Sequence, residues 1–337
     1  MSIEKFNNLT VFITGSCGTI GKEIIRILIS ETSASVIAVD NNETELFFQQ
    51  EKYKSGGRVK CFLVDIRDKE ELLSRMKGAD IVLHTAALKH VGICETSPAQ
   101  AIQTNIIGTQ NVIDAASLNN VERLIFTSSD KAVNPTNVMG VSKLMGERLV
   151  TSASENLASS RTIFASTRFG NVLGSRGSVV PLFRSQIEAG QPITLTDKKM
   201  TRFIMTLSEA TRLVLDSVWI ARGGEVMVTK MPTAKIEDIA KVMAKNLAIE
   251  KEIDIIEIGS KPGEKMYEEL MNDEELLRSR VYGSFLIVLS AFCNPLDDRL
   301  KHLASCDSPD RPYNSDNEVP LSESEVEKYF LENGLLS

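Results

Sequence analysis

LTVFITGSCGTIG (residues 9–21) decides how the rest of this chain is read. Its first half is a short β-branched run of the kind that forms a buried strand. Its second half sets Gly15, Gly18 and Gly21 three residues apart, and KEIIRILIS (22–30) continues as an amphipathic segment. A strand, a glycine turn and a helix in that order let backbone N–H groups approach a pyrophosphate. The helix N-terminus adds favourable dipole charge. Glycine-rich turns are common without any ligand, and the flanking strand and helix are what point to a dinucleotide.

The same alternation runs on. ASVIAVD (34–40) is a second strand ending in Asp40, nineteen positions after Gly21. An acidic side chain there accepts the adenosine ribose hydroxyls and repels a 2′-phosphate. Asn41 and Asn42 follow rather than Arg or Lys, so NAD is favoured and NADP stays open. RVKCFLVDIRD (58–68) gives a third strand ending in Asp65, ADIVLHTAA (79–87) a fourth and VERLIFTSS (121–129) a fifth. Helical segments lie between them, AIQTNIIGTQNVIDAASL (101–118) included. The pattern predicts an α/β fold, a Rossmann-like doubly wound parallel sheet with ligands at the strands' carboxyl ends. LKH (88–90) and SSDK (128–131) fall at those ends. The dinucleotide-binding domain is expected over 1–170, with a smaller substrate-binding α/β region over 171–337 that returns segments to the first sheet.

The 337 residues suffice for one large domain or two joined ones, and 42% hydrophobic with 25% charged residues is ordinary for a globular protein. A net charge of -7 argues against nucleic acid as the main partner. The start runs almost at once into a core strand, with no secretory signal. VYGSFLIVLSAFC (281–293) is too short to span a bilayer and reads as one or two buried strands. The five cysteines are scattered with neither a disulfide framework nor a zinc spacing. A cytoplasmic protein without membrane or metal is the expectation. His84, inside a strand, reads as a core histidine.

Further motifs carry a resemblance. HTAALKHV (84–91), TSSDKAVNPTNVMGVSK (127–143), RFGNVLGSRGSVVPLF (168–183), MTRFIMT (200–206) and KPGEKMYEEL (261–270) resemble the extended short-chain dehydrogenase/reductases. They are most similar to the UDP-N-acetylglucosamine 4,6-dehydratases of polysaccharide biosynthesis, which often invert C5. The likeness runs from about residue 8 to 272, with a weaker echo over 313–330. It implies cofactor contacts from Gly15, Cys17, Gly18, Thr19, Ile20 and Gly21, then Asp40 and Asn41, Asp65 and Ile66, Ala86 and Ala87, and Lys143. Asp65 would read the adenine amino group, and Asn105 would brace the helix after the fourth strand.

The superfamily's usual Tyr is Met139 here, as in one subgroup of these dehydratases. Methionine has no ionisable proton. The C4 base is therefore unassigned, with Asp130, Lys143 through the ribose hydroxyl, or an ordered water as substitutes. Met139 would shape the pocket floor or simply pack. None of the five tyrosines lies in a motif that brings it to a nicotinamide.

A 4,6-dehydratase oxidises C4, removes the C5 proton, expels the C6 hydroxyl as water and returns the hydride to C6. Elimination needs one acid and one base on the sugar together. The resemblance makes Asp130 the acid and Lys131 the base, the latter requiring a lowered pKa. Lys143, one helical turn after Met139, would hold the nicotinamide ribose, and Ser129 would hydrogen-bond the C4 oxygen. Lys89, His90, Asn171, Arg176, Ser178, Val179, Val180, Arg202, Lys261 and Glu264 are the expected contacts to the sugar, diphosphate and uridine. A UDP-N-acetylglucosamine 4,6-dehydratase is the leading reading. Release of a 5,6-ene sugar nucleotide, a 4-epimerase and a cofactor-sensing protein remain alternatives. A homo-oligomer, a dimer or larger ring, is expected.

Overall fold

The computed structural model describes residues 3–156, 161–175, 178–248, 253–259, 265–292 and 298–336. Its centre is a nine-stranded sheet. From one edge it runs β3 (Val59–Leu63), β2 (Ser35–Asp40), β1 (Thr10–Thr14), β4 (Ile81–His84), β5 (Arg123–Thr127) and β6 (Ile163–Arg168), all parallel. The chain winds outward from β1 in one direction and from β4 in the other, so a crevice opens between their carboxyl ends. The third strand stops at Leu63, leaving Asp65 in the loop beyond it.

The second half adds smaller pieces. β7 (Asn171–Val172), β9 (Thr201–Met205) and β11 (Thr233–Lys235) form a mixed sheet, and β8 (Ile193–Leu195) pairs with β12 (Ile255–Glu257). β10 (Val226–Thr229) joins the main sheet beside β6 in parallel. β13 (Glu269–Met271) pairs with β16 (Tyr313–Asn314). The apolar run after residue 280 is an antiparallel hairpin of β14 (Ser279–Tyr282) and β15 (Phe285–Val288) that closes the main sheet on β10.

Alternate side chains of the parallel strands go to opposite faces. Val11, Ile13, Leu83 and Ile125 pack with the Thr19–Glu31 and Leu207–Ile220 helices. Phe12, Val82, Leu124 and Phe126 pack on the other face, with Val112 and Val150 from the helices there. Both faces are covered, as a parallel sheet requires. Among the described residues no helix is long and apolar enough to cross a membrane.

The expected 101–118 helix has a wide π turn at Ile102–Gly108. That turn buries Asn105, which accepts from Leu88 N–H at 2.8 Å and donates to Leu88 C=O and Ser142 Oγ, both at 2.9 Å. His84 is buried between Thr14 Oγ1 (2.7 Å) and Thr109 Oγ1 (3.0 Å), and burial lowers its pKa to about 3, so the ring is neutral.

Candidate active site

The glycine turn is shaped by close approach. Gly15 takes φ +65°, and a Cβ on Gly21 would stand 2.4 Å from the Gly15 carbonyl oxygen. Gly18 caps the helix that Thr19 and Ile20 open. Asp40, at the end of β2, ties the turn down by accepting from Cys17 N–H (2.9 Å) and Asn42 N–H (3.0 Å). Burial and the Asp40 charge push the Cys17 thiol up to about 11. Asp65 pairs with Arg67 Nη2 at 2.6 Å, which holds its carboxyl below the usual range, and the Asn41 side chain also bonds to it. Ile66 is buried beyond it. Ala86 N–H reaches Thr14 Oγ1 at 3.3 Å, and half-buried Ala87 follows. Apart from Lys143, which lies on the helix after β5, the cofactor residues read from the sequence are placed at the carboxyl ends of β1 to β4.

β5 ends at Thr127, and Ser128 and Ser129 lead into a single turn through Asp130–Ala132. Asp130 is buried. It accepts from Ser129 Oγ (2.6 Å) and from Lys131 Nζ (3.0 and 3.2 Å). Asn137 then caps the Val138–Asn156 helix through Gly140 N–H at 2.8 Å. A Cβ on Gly140 would lie 2.2 Å from the Lys131 carbonyl oxygen, so glycine lets this helix press against the Asp130 turn. On the next turn Lys143 is buried. It donates to Thr127 C=O at 2.9 Å with its Nζ 4.7 Å from the centre of the Phe126 ring.

The two lysines differ from the sequence expectation. Burial pushes the Lys143 amine down to about 8. Burial would also lower Lys131, but the Asp130 and Glu268 charges outweigh it and its pKa is raised. Lys131 is thus an ammonium paired to Asp130, and the lowered amine is Lys143. Met139 is packed with Cys94 and Ala101 behind the turn and does not line the cavity.

That cavity holds about 390 Å³, ample for part of a nucleotide sugar. Asp130, Lys131, Asn171, Ser178, Val179 and Arg202 line it. Ser178 Oγ is buried there with no hydrogen-bond partner among the described residues. Arg202 is a brace: its guanidinium donates to the backbone oxygens of Thr201, Lys265 and Met266 and lies 3.4 Å from Glu268. Val180, expected at the substrate, is instead buried with Phe183 and Ile187, because these three share the core face of their helix. Lys89 and His90 are exposed and off the cavity wall, where their neighbour Val91 stands instead. Arg176, Lys261 and Glu264 lie outside the described residues.

Sequence reasoning missed Lys265, Tyr267 and Glu268, which all line the cavity. Lys265 donates to Val133 C=O at 2.9 Å and pairs with Glu269 at 2.7 Å. Asn134 donates to the same Glu269 at 2.9 Å, so this segment latches onto the Asp130 turn. Glu268 is buried with its carboxylate on Asn171 Nδ2 (2.8 Å) and Phe203 N–H (2.9 Å). The available signal was the second half of KPGEKMYEEL, where Lys265 is followed by Glu268 and Glu269 on the approach to β13.

A profile of the polysaccharide biosynthesis protein family matches residues 11–290. The chain belongs to this family. Among the chain's relatives, the Campylobacter jejuni UDP-N-acetylglucosamine 4,6-dehydratase (inverting) is 37% identical over 80% of this chain and 79% of that protein. A Rickettsia bellii UDP-glucose 4-epimerase is 36% identical over 87% and 85%. The Staphylococcus aureus capsular polysaccharide biosynthesis protein CapD is 43% identical over 83% of this chain, which spans 48% of CapD. The crystal structure of Pen from Bacillus thuringiensis superposes with a TM-score of 0.88 at 42% identity, covering 97% of this chain and 98% of Pen. The family is one of nucleotide-sugar dehydratases and epimerases built on the short-chain dehydrogenase/reductase fold.

Proposed function

We propose that this chain is a UDP-N-acetylglucosamine 4,6-dehydratase, an NAD-dependent hydro-lyase that forms the 4-keto-6-deoxy sugar nucleotide, with C5 inverted or retained. The observation that carries this reading is the Asp130–Lys131 pair, side by side on the cavity wall with Lys143 behind it. The turn at Gly15 and Gly21 fits a dinucleotide, and Asp40 stands where an adenosine ribose would meet it, which favours NAD over NADP. The nicotinamide would supply the C4 oxidation and the later reduction at C6. Asp130 gives a proton to the leaving C6 oxygen, and Lys131 takes the C5 proton. Lys143 would hold the nicotinamide ribose, and because burial pushes its amine down to about 8 it is the group that would take up the C4 hydroxyl proton. Ser129 orients Asp130, and Ser178 Oγ offers a hydroxyl to the diphosphate side.

The Rickettsia relative supports a second reading, a 4-epimerase on the same cofactor and cavity. That reaction gives the Asp130–Lys131 pair no task. Ile102 and Ile107 on one helix and Val141 and Met145 on its neighbour are exposed, and we assign them to a homo-oligomer interface. Sedimentation as a monomer at micromolar concentration would remove that assignment.

The deciding experiment is incubation with UDP-N-acetylglucosamine in deuterated water, read by mass and proton NMR. Loss of one water, one deuterium at C5 and a C6 methyl signal are expected. Alkene protons would mean the 5,6-ene product, a C4-inverted sugar of unchanged mass an epimerase, and no change with either NAD or NADP a non-catalytic protein.

A further inference from the structure

We propose that Asn134, Lys265 and Glu269 are positioning residues: they latch the turn that carries Asp130 and Lys131 to the β9 side of the cavity, and so hold the acid–base pair in register with a bound sugar. The proposal rests on the dehydratase reading.

Asp130 and Lys131 stand on a single turn, closed by Ala132 N–H on Ser129 C=O (3.0 Å) and Val133 N–H on Asp130 C=O (3.1 Å). One turn of that kind does not fix its own orientation. The helix that begins at Val138 presses on it at Gly140. The chain leaves the turn at Asn134, whose φ of +43° lies in the left-handed region. Asparagine enters that region more readily than most side chains. Both ends of its amide are held by a distant segment. Nδ2 donates to Glu269 at 2.9 Å, and Oδ1 accepts from Asn272 Nδ2 at 3.4 Å. The carbonyl just before it, that of Val133, accepts from Lys265 Nζ at 2.9 Å, and Lys265 pairs with Glu269 at 2.7 Å. Three side chains thus grip two consecutive residues.

The gripping segment is itself anchored on β9. Met266 C=O accepts from Thr201 N–H (3.1 Å) and from Arg202 (3.3 Å), and Lys265 C=O accepts from Arg202 (3.0 Å). Fully buried Ser315 holds the Glu268 backbone twice: its Oγ accepts from Glu268 N–H (2.9 Å) and its N–H donates to Glu268 C=O (2.8 Å). Asp130 and Lys131 line the cavity from the turn, and Asn171 and Arg202 line it from the β7–β9 side. The latch therefore sets how far the acid–base pair stands from a sugar held on that side. Its bonds to Asn134 and Val133 are exposed and half-buried, so water replaces them when they are cut and folding loses little. Reaction geometry is less forgiving, since a misplacement of about 1 Å can cost about 10²-fold.

Two variants open the latch: Glu269→Ala, and Asn134→Gly, whose glycine keeps the left-handed backbone. Each should lower kcat on UDP-N-acetylglucosamine by about ten- to a hundredfold, with KM and melting temperature near wild type. Glu269→Gln keeps an acceptor for Asn134 and should recover most of the loss. The double variant should be no slower than Glu269→Ala alone, because both changes remove one contact. A loss in KM alone would make these groups substrate contacts. Additive losses would make them independent, and a matching fall in melting temperature would make the latch purely structural. Each of these overturns the proposal. Amide hydrogen exchange needs neither turnover nor substrate. In Glu269→Ala the Lys131, Ala132 and Val133 amides should exchange about fivefold faster, the worth of one ordinary hydrogen bond, while those of β5 and the Val138–Asn156 helix keep their rates. Unchanged exchange in the turn also overturns the proposal. If exchange rises there but the wild type dehydrates no UDP-sugar with NAD or NADP, the hold on the turn stands and the dehydratase reading falls.

Discussion

Among the described residues two ionic clusters invite comparison, one closed around Arg168 and one open to the cavity at Asp130. Arg168, at the end of β6, is fully buried between Glu147 and Glu275. Its five N–H donors are all engaged, with both carboxylates and the Leu270 carbonyl, at 2.6 to 3.2 Å. Burial opposes that charge, but the two carboxylates overcome it and raise the guanidinium pKa further. The Asp130–Lys131–Glu268 group also sets two carboxylates against a cation, with Arg202 as a second cation 3.4 Å from Glu268. Here Lys131 gives its described hydrogen bonds to Asp130 alone, its side chain is 33% exposed, and the cavity opens beside it. Saturated geometry holds a fold together. Incomplete saturation beside a cavity leaves proton positions open to change.

Removing an acid from the open cluster should do most. Asp130→Asn should lower kcat by about 10²–10⁴-fold, the usual worth of a positioned acid, with cofactor affinity and melting temperature near wild type. A comparable loss of stability instead would mean that the open cluster is structural too. The closed cluster should behave the opposite way. Arg168→Met strands two buried carboxylates and should cost about 3–5 kcal/mol in urea unfolding, because breaking a buried pair leaves uncompensated charge. If stability hardly changes while turnover collapses, the contrast between the clusters is wrong.

A third variant probes the residue that departs from the superfamily. Met139→Tyr puts a hydroxyl among Cys94, Ala101 and Leu88, where nothing apolar can satisfy it. It should destabilise by about 1–3 kcal/mol and leave turnover no higher than wild type. A gain in turnover would show that position 139 reaches the reacting sugar after all.

The contrast also explains what could be read from the sequence. The glycine turn was legible because its demands are local: a strand, glycines where a Cβ cannot fit, and a helix. Asp130, Lys131 and Lys143 could be singled out because the resemblance is carried by one short stretch, which folds as one turn and one helix. Glu268 was not, since its partners Asn171 and Phe203 lie 97 and 65 residues away. The Arg168 cluster depends on Glu275, 107 residues on, and has no local signature either. Val180 was misplaced for a related reason. It is adjacent to cavity-lining Val179, yet helical rotation turns it into the core. Motif spacing fixes which residues lie on one element, and side-chain direction and long-range charge contacts follow only from the assembled fold.

The smallest effect is a pH dependence of stability, and its sign separates the clusters. Glu268 has its pKa raised to about 7, so its ionised form is a cost of folding above that pH. The cost is relieved as pH falls from about 7 towards the unfolded carboxyl value near 4.3. Glu275 is lowered, so its contribution is complete above the ordinary carboxyl range and flat between pH 5 and 8. His84, buried neutral with a pKa lowered to about 3, works against the Glu268 effect by losing stability below about 6.5. Comparing wild type with Glu268→Gln cancels that histidine. Glu268→Gln should be the more stable protein at pH 8, and its advantage should shrink steadily between pH 7 and 5 in urea melts. An advantage that stays constant over that range would mean that Glu268 is not titrating there, and that the open cluster is as fixed in charge as the closed one.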